Sequence, residues 1–386
     1  MSKPKKVTLA SGGVRWRIVV DAGRDAATGK RRQLTRTYDR KKDADAELAR
    51  VQHERNRGIY VMPSTLTLDA MLDGFLKSAC FEREEATRSN YVHALRPARE
   101  RLGGRLVQSI EREDIEALRD FMLTAGRKRG GTPGTGLGAR SVRLTLSRLS
   151  AAFEAAVDDG KVIRNPCRKV RLPKMARKGK VTWSEDEVGA FLASAAADRL
   201  HAAWRMALYG LRREEICGLR WSGIDLQART LTIATVRVMV DGRVVTKDAP
   251  KSERSARTLP LDDDLAAALT ALRKAQAAEK LAAGPAYGPG EYVACDEAGE
   301  AVSPEWLSDE FERLVKGAGV PRLTLHGCRH TGLSLMEKNG VPISVISLWA
   351  GHASPEFTYR VYVHANAGDL TAARDALSRL YKVSEA

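Results

Sequence analysis

Two tyrosines and a histidine near the C-terminus are side chains that could do covalent chemistry. The segment LWAGHASPEFTYRVYVHA holds Tyr359 and Tyr362 three residues apart, with His352 just upstream. A phenol acts as a nucleophile when a neighbouring group takes its proton, and a tyrosine at helical spacing can equally be a packing residue. The segment alone leaves both interpretations open, so the choice depends on other groups in the chain.

Three upstream motifs carry charged or titratable side chains. In YGLRREEICGLRW, Arg212 stands at the predicted start of a helix, and Glu215 lies one turn later, close enough to orient the guanidinium. In APKSERSARTLPL, Lys251 lies at a predicted turn between strands. In TLHGCRHTGLSLMEKNG, His326 and Arg329 are three residues apart and share a helical face. Each motif alone is also compatible with a structural ion pair, an exposed lysine or a chance spacing.

A metal site is disfavoured by the same residues. His326 and His330 are four apart, as in helical zinc sites, but no glutamate lies between them and no acidic third ligand follows. The five cysteines lie far apart without a CxxC pair, which disfavours a zinc ribbon and a disulfide framework. We therefore predict no metal and a reducing compartment.

Length and charge limit the class of protein. A chain of 386 residues predicts two or three domains, because single cores rarely grow beyond about 250–300 residues. The formal net charge of +16 favours a polyanionic partner such as nucleic acid, although charge also serves solubility alone. The sequence shows no signal peptide and no run of 18 apolar residues, which predicts an intracellular, soluble protein.

The first region, residues 1–60, has the pattern of a small α+β unit. VRWRIVVDA and RRQLTRTYD alternate as strands, and KKDADAELARVQHERNRG has helical periodicity. A basic ribbon that enters a DNA groove and an ordinary solvated face both fit this pattern. The candidate DNA contacts of the two strands are Arg15, Arg17, Arg31, Arg32 and Arg36.

The next region, residues 66–165, has helical periodicity almost throughout, from a helix that Thr67 is predicted to cap. Its four helical runs are interrupted by the basic, glycine-rich loop GRKRGGTPGTGLG, and they could clasp DNA or form an ordinary bundle. Residues 166–180 are predicted as a basic linker suited to a phosphate backbone. The candidate DNA contacts of the loop and the linker are Arg127, Lys128, Arg129, Arg168, Lys169, Arg171 and Lys174.

The last region, residues 181–386, contains all four motifs. It opens with a predicted capping box of Ser184 and Glu187, continues as helices and passes through strands at TLTIATVRVMVDGRVVTK and ARTLPL. The order GLRRxEI, lysine, HxxRHT, GH and a tyrosine ten residues after that histidine resembles the phage-integrase type of tyrosine recombinase. The resemblance covers this region at the level of motifs, and the two preceding regions match the family's usual companion domains.

The resemblance implies a multi-domain fold that is mainly α with small β-sheets. An N-terminal α+β domain at 1–60 would bind arm-type DNA, and a helical, SAM-like domain at 66–165 would bind the core site. The basic linker 166–180 would lead to an α+β catalytic domain at 181–386. The chain departs from the family's HDLRH by having Gly327 and Cys328, which we interpret as family variation.

The family's nucleophile lies about ten residues after the GH histidine. Tyr362 is at this distance from His352 and is followed by His364, whereas Tyr359 is only seven residues away and is interpreted as a packing residue. Lys251 matches the general acid that protonates the leaving 5′-hydroxyl.

The remaining motif residues match the groups that bind the phosphate. Arg212 and Arg329 would form a clamp, since a guanidinium holds two oxygens and stays charged. His326 would donate a further hydrogen bond, and His352 would donate another or assist the tyrosine proton. Glu215 would orient Arg212 or the lysine.

The predicted function is site-specific DNA recombination through a 3′-phosphotyrosyl intermediate, integrating or excising a mobile element such as a prophage, without a cofactor. The expected partners are double-stranded DNA with core and arm-type sites, further copies in a homotetramer, a host DNA-bending protein and an excision directionality factor. The expected location is the cytoplasm of a bacterial host, at the nucleoid. A type IB topoisomerase-like activity and a catalytically silent DNA-binding regulator are the alternatives.

Overall fold

The structure, a computed structural model, describes residues 3–8, 13–24, 31–56, 60–128, 131–175, 181–248 and 256–352. Contacts within the chain separate two compact units, residues 1–177 and 178–386. Within the described ranges, no helix has both the length and the apolar character needed to cross a bilayer. The mainly helical architecture with small antiparallel sheets confirms the predicted fold class.

The N-terminal part of the first unit is a three-stranded antiparallel sheet covered by one helix. The elements are β1 (Lys5–Thr8), β2 (Val14–Arg24), β3 (Arg31–Tyr38) and α1 (Lys41–Asn56). Alternation along β2 places Ile18 and Val20 in a small core with three residues of α1: Ala44, Leu48 and Val51. The two predicted strands and the helix are confirmed, whereas the four-residue β1 is too short to show a clear alternation.

The rest of the first unit is a bundle of the four predicted helices. They are α2 (Leu68–Ala79), α3 (Glu85–Leu102), α4 (Arg112–Thr124) and α5 (Ala139–Asp158). The side chain of Thr67 accepts a hydrogen bond from the Ala70 amide at 3.3 Å, which confirms the predicted cap. Apolar residues three and four apart on each helix form one continuous core.

The segment after α5 packs onto this bundle for part of its length. Cys167 and Val170 are buried in the helical core. The buried amide of Asn165 donates to Glu154 at 2.7 Å and accepts from the amide of Cys167 at 2.8 Å. The first part of the segment predicted as a linker therefore belongs to the bundle.

The second unit combines helices with two small sheets. Its helices are α6 (Glu185–Ser194), α7 (His201–Leu208), α8 (Arg213–Gly218), α9 (Asp263–Ala283), α10 (Pro304–Ala318), α11 (Leu325–Lys338) and α12 (Ile343–Ala350). Its strands are β4 (Ile224–Asp225), β5 (Thr230–Ile233), β6 (Val236–Val240), β7 (Arg243–Lys247) and β8 (Arg257–Pro260). Strands β4, β5 and β8 form one antiparallel sheet, and β6 pairs with β7 in a hairpin.

An aromatic core holds the helices of the second unit together. Trp183, Phe191, Trp204 and Phe311 are fully buried, with neighbouring ring centroids 5.0 to 6.2 Å apart. The capping box predicted at the start of α6 is present, with both reciprocal hydrogen bonds of Ser184 and its partner. These rings belong to a larger core that also includes Ile216 of α8 and Cys328 of α11, two of the helices that carry the candidate site.

Candidate active site

Arg212 is held at the point where the chain turns from α7 into α8. Gly210 has a φ of +100°, a conformation open to glycine, and this turn places Arg212 at the cap of α8. Its amide donates to Glu215 Oε2 at 2.8 Å, and its Nη1 donates to Oε1 at 2.6 Å. The predicted contact between the guanidinium and the carboxylate one turn later is therefore present.

Arg329 lies in the interior of the unit, with 1% of its side chain exposed. Its Nη1 donates to the carbonyl of Gly210 at 2.5 Å and lies 4.0 Å from Glu215 Oε2. The close approach of α11 to α7 depends on Gly332, because a Cβ there would collide with the carbonyl oxygen of Leu208 on α7. Arg212 and Arg329, the two predicted clamp residues, thus lie against the same carboxylate.

A third arginine completes the cluster and was missed by the sequence analysis. Arg257, the first residue of β8, donates from Nη1 and Nη2 to the two oxygens of Glu215, each at 3.0 Å. The motif ARTLPL signals a strand and gives no indication of a partner 42 residues earlier.

The three arginines also bind three consecutive carbonyls at the C-terminus of α12. Arg257 Nε donates to Trp349 O at 2.6 Å, Arg329 Nη2 to Ala350 O at 2.5 Å, and Arg212 Nη2 to Gly351 O at 3.0 Å. The last carbonyls of a helix have no partner within the helix and carry its negative partial charge. The arginines supply these partners and fix the end of the helix.

Glu215 is an ionised carboxylate in the interior. Only 2% of its side chain is exposed, and burial alone would raise its pKa. Hydrogen bonds and positive charge from Arg257 and Arg212 outweigh burial and lower the pKa of Glu215 to about 2. The cluster therefore holds three positive charges around one negative charge at neutral pH.

His352 follows directly on the carbonyls bound by the arginines. Gly351 ends α12 with a φ of +61°, and the His352 amide donates to Ser347 O at 3.1 Å. Burial, followed by the charges of Arg329 and Arg212, lowers the pKa of His352 to about 3. The imidazole is neutral at neutral pH, so it can donate one hydrogen bond or accept one proton.

His326 lies at the exposed start of α11. Its ring centroid is 4.6 Å from that of His330, in an edge-to-face arrangement. With Arg213, Glu214 and Ser308 it lines a cavity of about 330 Å³. Across the described part of the chain, no three His, Cys, Asp or Glu side chains come together as a metal site would require.

The predicted nucleophile and general acid lie outside the described residues. Tyr362 and Tyr359 follow His352, at which the described chain ends. Lys251 lies in sequence four residues after β7 ends at Lys247, within the range 249–255, which is also outside the described residues. The described part of the site is thus the group of side chains predicted to bind phosphate.

The candidate DNA contacts of the N-terminal sheet divide between its two faces. Arg15 and Arg17 are exposed on the face opposite the buried Ile18, and Arg15 pairs with Asp39 at 2.9 Å. Arg36 is the cross-strand partner of Ile18, which places it on the face towards α1, where it pairs with Glu47 at 2.6 Å. Arg31 and Arg32 belong to β3, and their side chains lie outside the described structure.

The candidate contacts of the helical bundle differ in their surroundings. Arg127 donates to the carbonyl of Gly136 and so closes its own loop, and Lys128 pairs with Glu100 at 2.8 Å. Arg168 forms a two-point ion pair with Glu154. The remaining described candidates are exposed: Lys169, Arg171 and Lys174. Arg129 lies outside the described residues.

Comparison with known proteins gives consistent matches. Residues 184–368 match the phage integrase family. A tyrosine recombinase XerC-like protein of Caldanaerobacter subterraneus subsp. tengcongensis is 25% identical, with 98% of this chain and 99% of that protein covered.

Two solved structures share the fold. The Tn1549 transposon integrase in complex with a circular intermediate DNA matches with a TM-score of 0.67 at 18% identity, covering 81% of this chain and 99% of that one. The lambda integrase tetramer bound to a Holliday junction matches with a TM-score of 0.56 at 20% identity, covering 94% of this chain and 95% of that one.

Proposed function

Because the chain belongs to the phage integrase family of tyrosine recombinases, we propose that the three-arginine cluster forms the phosphate-binding half of its active site. The protein is a site-specific recombinase that cuts DNA strands and rejoins them through a tyrosine. The observation that carries the assignment is the convergence of Arg212 and Arg329 on one ionised carboxylate, at the helix end that directly precedes the neutral His352. This surplus of positive charge suits a group that gains negative charge in the transition state.

The clamp residues differ in what they can offer a phosphate. The side chain of Arg212 is 31% exposed, so its guanidinium can bind a nonbridging oxygen directly. Arg329 is buried, and its charge strengthens the positive potential at the site from the interior of the unit. His326, at the exposed start of α11, can add a hydrogen bond to the same phosphate.

The covalent step is assigned to Tyr362. Its phenolic oxygen attacks the phosphorus, a bond forms between them, and the bond from phosphorus to the 5′-oxygen breaks. Lys251 gives a proton to the departing 5′-oxygen. The DNA is left joined through a 3′-phosphotyrosyl ester, which a different 5′-hydroxyl can attack in reverse. The phosphotyrosyl ester retains the energy of the phosphodiester bond that was cut, so rejoining needs no ATP. No step in this assignment uses a metal ion.

His352 acts in its neutral form in this assignment. The pKa lowered to about 3 excludes an imidazolium that would add a fourth charge to the free site at neutral pH. An entering phosphate raises the pKa of the ring, because a negative charge favours the protonated form. The imidazole can then donate to the phosphate or receive the proton that Tyr362 releases.

Double-stranded DNA is the substrate, and the basic regions supply contacts outside the site. The exposed Arg15 and Arg17 of β2 are assigned to an arm-type site, and the exposed Lys169, Arg171 and Lys174 to the core site. The tetrameric state of the lambda integrase structure supports a homotetramer on DNA here. A host bending protein and an excision directionality factor would assist it at the nucleoid of a bacterial cell.

Recombination of a mobile element is favoured over topoisomerase-like nicking by the relatives. The matched proteins are described as recombinases and integrases, one of them from a transposon. A catalytically silent regulator is disfavoured, because every position of the motif order is filled in this chain.

The assignment is tested by trapping the covalent intermediate. The purified full chain is incubated in EDTA with nicked suicide DNA from the regions flanking its own gene, and peptides left on the DNA after proteolysis are mapped. We expect one adduct, on the Tyr362 peptide. An adduct on another residue would overturn the nucleophile assignment, and DNA binding without any adduct would favour the silent regulator.

A further inference from the structure

We propose that Arg257 is a positioning residue of the active site, which acts through Glu215 to hold Arg212 ready for the scissile phosphate. This inference rests on the proposed function. The side chain of Arg257 is only 7% exposed, and its hydrogen bonds go to the carboxylate of Glu215 and the carbonyl of Trp349.

The hydrogen bonds of Arg257 determine the plane of the carboxylate. Its Nη1 and Nη2 contact Oε1 and Oε2 of Glu215, each at 3.0 Å, in a two-point geometry. The same two oxygens accept from the side chain and the amide of Arg212, at 2.6 and 2.8 Å. A rotation of the carboxylate would break the bonds to Arg212, and Arg257 opposes that rotation.

A second contact of Arg257 joins the cluster to the end of α12. Its Nε donates to Trp349 O at 2.6 Å, two residues before Gly351, whose carbonyl accepts from Arg212. Arg212 is therefore held on both sides by groups that Arg257 also holds. Losing Arg257 would remove one support from the carboxylate and one from the helix end at the same time.

Charge gives Arg257 a further role in the same cluster. Glu215 is almost fully buried, and a buried carboxylate needs a cation beside it. If Arg212 were its main partner, a phosphate would compete with Glu215 for that guanidinium. Because Arg257 neutralises Glu215, the positive charge of Arg212 remains available to the substrate.

The test compares two DNA substrates that differ in the charge at the scissile position. A methylphosphonate carries no negative charge there, so its cleavage depends less on an aligned guanidinium than cleavage of the natural phosphodiester does. We expect Arg257→Gln to slow cleavage of the phosphodiester about 100-fold, as displacement of a catalytic group does. The loss on the methylphosphonate should be much smaller, and Arg212→Gln should show the same selectivity.

Arg199→Gln is the matched control. Arg199 is also a largely buried arginine of the second unit; it pairs with Glu279 at 2.6 Å and donates to the carbonyls of Cys295 and Asp296. This variant should lose stability while it retains cleavage of both substrates. If Arg257→Gln does not fold, Arg257→Lys keeps the charge without the two-point geometry and should show the same selectivity in weaker form.

The outcomes separate this inference from the proposed function. Wild-type protein must first form the Tyr362 adduct, and its failure to do so would overturn the proposed function itself. With an active wild type, equal losses on both substrates in a folded Arg257 variant would overturn the positioning role. If a substrate with sulfur at the 5′-bridging position restored cleavage by the Arg257 variant, the positioning role would also be overturned. Such a rescue would mean that the variant is defective in protonating the leaving group, the role proposed for Lys251.

Discussion

The guanidinium of Arg212 donates to the carbonyl of Gly351 at 3.0 Å and joins two segments 139 residues apart in sequence. Gly351 precedes His352, so one hydrogen bond links the partly buried Arg212 to the segment that leads to Tyr362. The end of α12 thus holds Arg212 and begins the segment in which Tyr362, the proposed nucleophile, lies. Substitutions of Arg212 and substitutions at the end of α12 should therefore affect the same step, the cleavage of the DNA strand.

Tyr362 and Tyr359 are distinguished by removing one hydroxyl at a time. Tyr362→Phe should abolish the covalent adduct and leave DNA binding intact, because the ring stays and only the attacking oxygen is lost. Tyr359→Phe, the matched control, should cleave as the wild type does. Adduct formation is measured on denaturing gels of suicide-substrate reactions, and DNA binding is measured in a separate assay. If Tyr362→Phe formed the adduct and Tyr359→Phe did not, the assignment would be reversed.

Lys251 is tested by changing the leaving atom. Lys251→Ala should slow cleavage of ordinary DNA by about 100-fold or more, within the range that general acid catalysis contributes. A substrate with sulfur at the 5′-bridging position needs no proton on the leaving group, so it should restore cleavage by this variant. Persistent inactivity with that substrate, in a variant that still binds DNA, would contradict the general-acid role.

His352 should make the second unit less stable at mildly acidic pH. Its pKa of about 3 in the fold lies below the ordinary value of 6.5, so the unfolded chain binds the proton more tightly. Stability from this group is complete above the ordinary pKa and falls as the pH falls towards 3. Between pH 7 and 5 we expect a loss of about 1–2 kcal/mol that His352→Gln lacks.

The measurement of this loss uses intrinsic fluorescence. Five of the six tryptophans, Trp183, Trp204, Trp221, Trp306 and Trp349, belong to the second unit, so urea titrations report mainly on it. His201→Gln is the control, because His201 starts α7 in the same unit and its ring contacts the carbonyl of Ala195 rather than an arginine of the cluster. Identical pH dependence in the wild type and the His352 variant would refute the depressed pKa.

Glu215 should be needed for both the fold and the reaction. Glu215→Gln removes the negative charge that faces two buried arginines, and such a loss costs about 3–5 kcal/mol. The adjacent Glu214→Gln is a matched control, because Glu214 is partly exposed and pairs with Arg213 at 3.0 Å. Urea titrations and cleavage rates should show large losses for Glu215→Gln and small ones for the control.

The sequence predicted those parts of the site that depend on short spacing. Arg212 and Glu215 are one helical turn apart, so their contact could be predicted from the sequence. The contact of Arg257 with the same carboxylate spans 42 residues and depends on where the tertiary fold places the start of β8. The depressed pKa of His352 likewise arises from burial and from arginines on other elements, which no local pattern contains.

The N-terminal sheet shows the same limit for the candidate DNA contacts. The arginines of the two strands were predicted as candidate DNA contacts of a basic ribbon, but the register pairs Arg36 with Ile18 and turns it towards α1. Alternation within a strand is visible in the sequence, whereas the register between strands depends on pairing across the turn. Arg17 and Arg36 therefore have different surroundings despite similar patterns.

These surroundings predict opposite phenotypes for two arginine substitutions in the sheet. Arg17→Ala, on the open face, should weaken binding to arm-type DNA and reduce the salt dependence by about one phosphate contact, with little change in stability. Arg36→Ala should destabilise the N-terminal unit by removing the ion pair with Glu47, which holds β3 to α1. Binding is measured at several salt concentrations and stability by thermal denaturation. If Arg36→Ala lowered the salt slope without loss of stability, the face towards α1 would be a DNA-binding surface and the division between the two faces would be wrong.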